Sequence, residues 1–174
     1  MRPEDDKSHL SGDAAVQKIR ELLPNFRSAM MVTRDPEQLL HARPLALVGD
    51  AKAFEGVLWF FVDERSRKVD ETSNGSAVSL LFQNDERSAY LHLVGTGSTA
   101  RDLEKLKELY SPVIRTWFPD GLDDPNLTLL KFEAASGTYW DNHGGVLAVL
   151  FGLATAVVTR HTARVGDTGE LSMP

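Results

Sequence analysis

The chain has 174 residues, of which 42% are hydrophobic and 25% charged, with a formal net charge of -6 and no cysteine. These totals predict one globular domain, argue against a general nucleic-acid or anionic-membrane surface, and exclude disulfides and cysteine-ligated metals. The N-terminal residues lack an apolar signal core. The uncharged run over residues 144–159 is too short for a membrane-spanning helix and is rich in Gly, Ala and Thr. We therefore expect no membrane span and a cytoplasmic location.

Helical spacing of apolar residues begins at Asp13 and continues to Leu23, where Pro24 ends the predicted helix. The carboxylate of Asp13 is a candidate cap for the first turn. Residues 1–11, which precede this helix, are polar, and we expect them to be a disordered tail. A second amphipathic helix is predicted from Asp102, interrupted near Pro112.

Short apolar or alternating segments predict six strands, over residues 29–33, 39–48, 57–62, 77–82 and 90–99, with 127–132 and 137–141 forming a last strand or bulged strand. Pro44 requires an edge position or a bulge in the second of them, because proline cannot donate to a ladder. Six strands with few intervening helices indicate a mainly β fold, a small antiparallel barrel with peripheral helices. We place this domain at residues 12–160, including an apolar helix over 146–158, and expect a polar C-terminal tail over 161–174.

A basic cluster, Ser66-Arg67-Lys68, follows the third strand and opens a short predicted helix over residues 69–73. Arginine, lysine and the first backbone N–H groups of a helix all favour a phosphate at this point. Arg43, on the strand before, can reach the same anion. The aromatic run Trp59-Phe60-Phe61 just upstream offers flat apolar surface, so the segment predicts a site for flavin mononucleotide (FMN).

An alternative interpretation has equal weight on spacing alone. The cations of this segment can form a solvated face that pairs with neighbouring carboxylates. The cations concerned are Arg65, Arg67 and Lys68, and the carboxylates are Asp63, Glu64, Asp70 and Glu71.

Several motifs together resemble the pyridoxamine 5′-phosphate oxidase-like, flavin-binding split-barrel superfamily. They are Arg43-Pro44-Leu45-Ala46-Leu47, the strand ending in Phe60-Phe61, and Ser66-Arg67-Lys68. Trp117-Phe118-Pro119-Asp120-Gly121, Asp124-Pro125 and Tyr139-Trp140-Asp141 resemble its general stress protein 26 branch. The resemblance covers about residues 13–160 and implies a six-stranded split barrel of Greek-key type, a homodimer, and FMN held between the subunits.

The resemblance also implies roles for individual residues. The phosphate ligands would be Arg43, Ser66, Arg67 and Lys68. The residues beside the isoalloxazine or ribityl chain would be Pro44, Leu45, Val62 and Asp63. Many superfamily members have threonine in place of Val62, so one hydroxyl contact is lost here. Gln83 is a candidate contact from the second subunit, and Trp117 and Trp140 are candidates to cover the flavin or to pack a dimer interface.

Two kinds of function are not expected. The C-terminal residues, Gly169–Pro174, lack the arginine- and histidine-containing substrate motif of the oxidase itself, so we expect no oxidation of vitamin B6. The five histidines lack metal-ligand spacing, so we expect no metal site. What remains is a flavin-dependent oxidoreductase of unknown substrate, using a nicotinamide or another small reductant as donor. The alternatives are a stress protein that binds or senses flavin without turnover, and a binder of the deazaflavin F420 or of haem.

Overall fold

The computed structural model describes residues 8–66, 71–72, 75–141 and 167–174. The predicted helix over 146–158 and most of that over 69–73 lie outside the described residues. The α-helices described are Asp13–Leu22 (α1) and Leu103–Leu109 (α2). The strands described are Ser8–Ser11 (β1), Ser28–Arg34 (β2), Leu40–Ala46 (β3), Val57–Asp63 (β4), Ser76–Asn84 (β5), Ala89–Ala100 (β6), Leu127–Asp141 (β7) and Asp167–Ser172 (β8).

The strands form one sheet in the order β1-β8-β7-β6-β5-β2-β3, with β4 paired to β7 beside this path. The pairings are antiparallel except that of β1 with β8, which is parallel. The mainly β, split-barrel fold is confirmed. The strand count is eight in the described residues, where six were predicted, and β3 lies at the end of the path, as Pro44 required.

The fifteen-residue strand β7 holds the two halves of the sheet together. Its first half pairs with β4 and its second half with β8, while β6 runs along its other edge. The β6–β7 register shifts between Val94 and Gly95. A Cβ on Gly95 would lie 1.9 Å from the carbonyl oxygen of Glu133, so only glycine fits this bulge.

Alternation along the strands places one apolar face in the core. Phe60, Leu80 and Leu93 are fully buried there, and Ile19 of α1 closes the same core. A smaller cluster forms beneath α2 and is made by Leu106, Ile114, Phe118, Leu127 and Leu129.

The aromatic run before the basic cluster differs from the expectation. Phe60 is fully buried in the main core, while Trp59 and Phe61 pack against the smaller cluster on the other face of β4. Successive strand residues point to opposite faces, so these three side chains do not form one flat surface for a ring.

Two further expectations were wrong for the residues described. Ser8–Ser11 and Asp167–Ser172, predicted to be parts of polar tails, are paired strands. Each of these two strands has a single leucine facing inward, Leu10 or Leu171, which is too weak a pattern for a strand prediction. The cap of α1 is Gly12, with φ of 57°, and Asp13 makes no capping hydrogen bond but lies in the first turn.

Candidate functional site

A buried ion pair lies at one end of the core, between β2, β3 and the segment that precedes β5. Arg43 donates from Nη2 to Glu71 Oε2 at 2.5 Å and to Thr33 Oγ1 at 2.7 Å. The Thr33 hydroxyl also donates to Glu71 Oε2. The Glu71 side chain is 2% exposed and that of Arg43 is 20% exposed. We call these three residues the Arg43 cluster.

In the part of the chain that the structure describes, three polar side-chain atoms are buried without a hydrogen-bond partner. They are Nη1 of Arg43, Oε1 of Glu71 and Oγ of Ser66. A buried polar atom left unpaired costs about 1–3 kcal/mol, and native structures contain few of them. Two of the three belong to side chains that the sequence predicted as phosphate ligands. The atoms are therefore candidates for contact with a bound molecule.

Local structure explains where Arg43 and Ser66 each lie. Arg43 alternates with Leu45 on the inward face of β3, so its side chain leaves the strand toward the core. Ser66 lies in the turn after β4, where its backbone N–H donates to the carbonyl of Asp63 at 2.9 Å. In the same turn, Arg65 binds both carboxylate oxygens of Asp63, at 3.1 and 2.9 Å.

The solvated-face alternative therefore describes only part of this segment. Arg65 is 71% exposed and pairs with Asp63, as that alternative predicts. Glu71 does not follow it, because its partner is Arg43, 28 residues away. Arg67 and Lys68, the other two predicted phosphate ligands, lie outside the described residues.

A cleft of 720 Å³ opens beside the Arg43 cluster, within the size range of cofactor sites. The described residues that line it are Arg34, Asp35, Pro36, Glu37, Gln38, Glu71, Ser76 and Ala77. Asp35 contacts the ring of His41 at 2.8 Å, between Oδ2 and Nε2. This hydrogen bond lowers the pKa of the Asp35 carboxyl below its usual 3.8, so the group stays ionised at the rim.

A second cleft, of 400 Å³, runs over the outward face of β2, β5, β6 and β7. Gln83 and Trp140, two of the predicted site residues, line it together with Met30, Leu81 and Tyr90. The Gln83 amide donates to Asp85 Oδ1 at 2.6 Å.

The structure separates some of the residues that the resemblance brought together. Leu45 is 7% exposed and Val62 is 1% exposed, and both pack in the core, whereas Pro44 lies on the outward face of β3. Asp63 is bound by Arg65. Trp117 is 61% exposed and is not among the described residues that line either cleft.

Sequence reasoning missed Thr33 and Glu71 as members of the site. Thr33 is the inward-facing polar residue of an otherwise apolar strand, and that position was a usable signal. Glu71 carried no such signal, because it stands among charged and polar residues typical of a solvated surface.

Among the described residues, no helix is long and apolar enough to cross a membrane. The part of the chain that the structure describes also contains no group of three or more His, Cys, Asp or Glu side chains placed to hold a metal ion.

A split barrel with a buried, partly unpaired arginine beside a cleft of cofactor size defines a candidate ligand-binding β protein. Comparison of the sequence with known families gives a more specific classification. The family model described as "Pyridoxamine 5'-phosphate oxidase like" matches residues 14–164, and the chain belongs to this family.

Individual relatives agree with this assignment. A provisionally named general stress protein 26 from Jannaschia sp. CCS1 superposes with a TM-score of 0.74 at 26% identity, over 90% of this chain and 96% of the other. The general stress FMN/FAD binding protein of Xanthomonas citri superposes with a TM-score of 0.65 at 25% identity, over 78% and 94%. The protein bli-3 of Neurospora crassa is 24% identical over 169 residues, 92% of this chain and 80% of its own.

Proposed function

We propose that this chain binds a flavin, specifically FMN, with its phosphate held by Arg43 and Ser66 together with Arg67 and Lys68. The observation that carries the proposal is the pair of buried donors without partners, Nη1 of Arg43 and Oγ of Ser66. A phosphate oxygen accepts from both kinds of group, and an arginine N–H makes the stronger, charge-assisted bond. The similarity to an FMN/FAD binding protein supports the same ligand.

The orientation of Arg43 also suits this role. Thr33 and Glu71 occupy its Nη2 edge, which fixes the plane of the guanidinium and leaves the Nη1 edge for an anion. An arginine that is already held loses less side-chain entropy on binding than a free one. The residues present therefore fit a phosphate-bearing cofactor.

A bound flavin supplies electron and hydride transfer chemistry, and the protein supplies position and electrostatics. We propose a flavin-dependent oxidoreductase that takes electrons from a nicotinamide or another small reductant. The acceptor is open. Oxidation of pyridoxamine 5′-phosphate is not part of this proposal.

We further propose a homodimer formed through the outward face of the sheet, with the flavin between subunits. Large apolar side chains there are 37–45% exposed, namely Met30, Leu81, Tyr90, Val94 and Trp140. Cross-strand pairing brings Met30 beside Leu81 and Tyr90 beside Trp140, so the exposed groups form patches. Such patches are typical of interfaces. A cytoplasmic location remains a prediction from the sequence.

The first test is titration of the purified protein with FMN, followed by flavin fluorescence, with F420 and haem as parallel ligands. We expect saturable binding of one FMN per chain. The double variant Arg67→Ala, Lys68→Ala should lose on the order of 3 kcal/mol of binding free energy, since charge-assisted bonds contribute about 1.5–3 kcal/mol each.

Arg65→Ala is the matched control, since it removes a cation from the same turn, but one that is bound to Asp63. It should leave the dissociation constant within about twofold. Equal FMN affinity in wild type and the double variant would disprove the phosphate assignment. Binding of F420 or haem alone would keep the fold and change the cofactor.

Turnover is tested separately from binding. Reduction of the bound flavin by NADH or NADPH, followed by reoxidation with an added acceptor, supports the oxidoreductase. A flavin that binds stoichiometrically but is not reduced by either donor supports the alternative of a binding or sensing protein.

The dimer is tested with Leu81→Glu, which places a charge in the centre of the exposed outward face. We expect a monomer by light scattering and release of FMN. The control is Leu103→Glu, since Leu103 is an exposed leucine on α2. A Leu81→Glu dimer that retains FMN would contradict the proposed interface.

A further inference from the structure

Glu71 is the group of the Arg43 cluster that phosphate binding alone does not explain. Its Oε2 accepts from Arg43 and Thr33, but its Oε1 is buried without a partner. An ionised carboxylate is an acceptor only, and a buried one that is not fully hydrogen-bonded is unfavourable. A phosphate cannot satisfy this oxygen, because both groups are negatively charged. A donor group on the ligand would satisfy this oxygen.

The two unpartnered atoms of the ion pair have opposite requirements. Nη1 of Arg43 needs an acceptor, and Oε1 of Glu71 needs a donor. They belong to side chains that are joined by one 2.5 Å hydrogen bond, so they lie within a few ångströms of each other. A hydroxyl group can satisfy both atoms, and so can a molecule that carries an anionic group and an O–H or N–H group a few bonds apart.

The cleft beside Glu71 indicates which donor fits. Its described lining contains three carboxylates, those of Asp35, Glu37 and Glu71, against one cation, Arg34. Such a lining disfavours a second anionic group but suits hydroxyls, which donate to carboxylates. A chain of hydroxyls attached to a phosphate would place an anionic group at Arg43 and hydrogen-bond donors at Glu71 and along the cleft.

We infer that Glu71 is a specificity-determining residue, whose Oε1 accepts a hydrogen bond from a ribityl hydroxyl of the flavin while Oε2 holds Arg43 for the phosphate. This inference rests on the proposed function and deepens it. It assigns to one carboxylate both the orientation of the phosphate ligand and the recognition of the polyol beside the phosphate.

The test compares FMN with its trideoxy analogue, a flavin phosphate whose side chain is an unsubstituted pentyl chain. The measured quantity is the discrimination ratio, the dissociation constant of the analogue divided by that of FMN. In the wild type we expect a ratio of at least about 10, because the analogue leaves Oε1 unpaired. A ratio near 1 would overturn the inference without any variant.

Glu71→Gln should reduce the discrimination ratio about tenfold, because it replaces a charge-assisted hydrogen bond by a neutral one. The ratio cancels any effect on the phosphate, since the lost negative charge acts equally on both ligands. Arg65→Ala is the control, because it removes an exposed cation that is bound to Asp63 and leaves the Arg43 cluster intact. It should keep the ratio within about twofold of wild type.

The outcomes separate the two claims. An unchanged ratio in Glu71→Gln, with FMN still bound, overturns the inference and leaves the proposed function standing. No binding of FMN by the wild type overturns both. If Glu71→Gln does not fold, as judged by thermal unfolding, Glu71→Asp replaces it. Asp keeps the charge but withdraws the oxygen by one methylene, so a wild-type ratio in that variant also overturns the inference.

Discussion

Two polar clusters stand in the same sheet, and they differ in how completely their atoms are paired. The second, which we call the Tyr139 cluster, consists of Ser8, Lys18, Tyr139 and Asp167. The Tyr139 hydroxyl lies 2.7 Å from Ser8 Oγ and donates to Asp167 at 3.1 Å, and Lys18 lies 3.5 Å from Asp167 and 4.8 Å above the tyrosine ring. In the Arg43 cluster, by contrast, Nη1 of Arg43 and Oε1 of Glu71 have no partner.

The difference indicates what each cluster contributes. The Tyr139 cluster joins β1, β7, β8 and α1 through groups that satisfy one another, as expected of a structural network. The members of the Arg43 cluster also hydrogen-bond to one another, but one donor and one acceptor of the cluster are left without a partner. Completeness of pairing separates the structural polar cluster of this fold from the candidate binding site, and so does burial, since the Asp167 side chain is 44% exposed and that of Glu71 2%.

Arg43→Ala is the change with the largest expected effect. It leaves the buried Glu71 carboxylate without its counter-ion, and we expect the free energy of unfolding to fall by about 3–5 kcal/mol. Urea unfolding measures this. The exposed pair provides the control, since Arg65→Ala should cost at most about 1 kcal/mol. Equal losses in the two variants would mean that the Arg43 cluster is no more tightly coupled than a surface ion pair.

Tyr139→Phe tests the other side of the comparison. The variant loses one hydroxyl, while Ser8 and Asp167 keep other partners in Thr168 and Lys18. We expect a loss of about 1 kcal/mol of unfolding free energy and an unchanged dissociation constant for FMN. A weakened flavin affinity would show that the two clusters are not independent.

The same tyrosine predicts a dependence on alkaline pH. Burial raises the pKa of the Tyr139 hydroxyl above its usual 10. The folded state therefore holds this proton more tightly than the unfolded state, so the stabilisation is complete below about pH 10 and is lost as the pH rises further. Unfolding free energies between about pH 9 and 11 should fall more steeply in wild type than in Tyr139→Phe; parallel curves would contradict this.

Ser66→Ala separates binding from stability. The hydroxyl is buried without a partner, so its removal should leave the free energy of unfolding unchanged or raise it by up to about 1 kcal/mol. FMN affinity should fall about tenfold, because a hydrogen bond to a charged phosphate is lost. Titration and thermal unfolding of the same sample measure both. A destabilised variant with normal affinity would make Ser66 a structural residue.

The smallest expected effect concerns the rim of the cleft. Hydrogen bonding from His41 lowers the pKa of the Asp35 carboxyl below 3.8, so the folded state favours the ionised form. The pair therefore stabilises the fold above that pH and ceases to do so as the pH falls through the lowered value. Compared with wild type, His41→Ala should show a weaker loss of stability in urea titrations below about pH 4. An identical acid profile would argue against this pair.

Much of the fold followed from local patterns. The apolar spacing from Asp13 and the alternation around Leu91 and Leu93 predicted α1 and β6, because one face of each is buried. The pairing of β4 with β7 could not be predicted from the sequence. These strands are separated by more than sixty residues, and the alternation of apolar residues in a strand does not indicate which strand it pairs with. The strands β1 and β8 were missed because each buries too little apolar surface.

The site was predictable to the extent that its chemistry is local. Ser66 follows a strand in a basic segment, and Arg43 belongs to one of the motifs on which the family resemblance rests. Glu71 was not predictable as a member, because its burial depends on a partner 28 residues away. The placement of Phe60 was predicted wrongly because too much weight was given to its immediate neighbours in the sequence. Its neighbours suggested a shared aromatic surface, whereas strand alternation separates them.

The parallel pairing of β1 with β8 sets an order on the assembly of the sheet. Among the described strands, β1 pairs with β8, which is attached to the rest of the sheet through β7. Residues 8–11 therefore have no backbone partners until residues 169–172 have left the ribosome and docked. At usual rates of synthesis this means a delay on the order of ten seconds or more. The first of the described strands in chain order thus pairs only after the last of them has docked on β7.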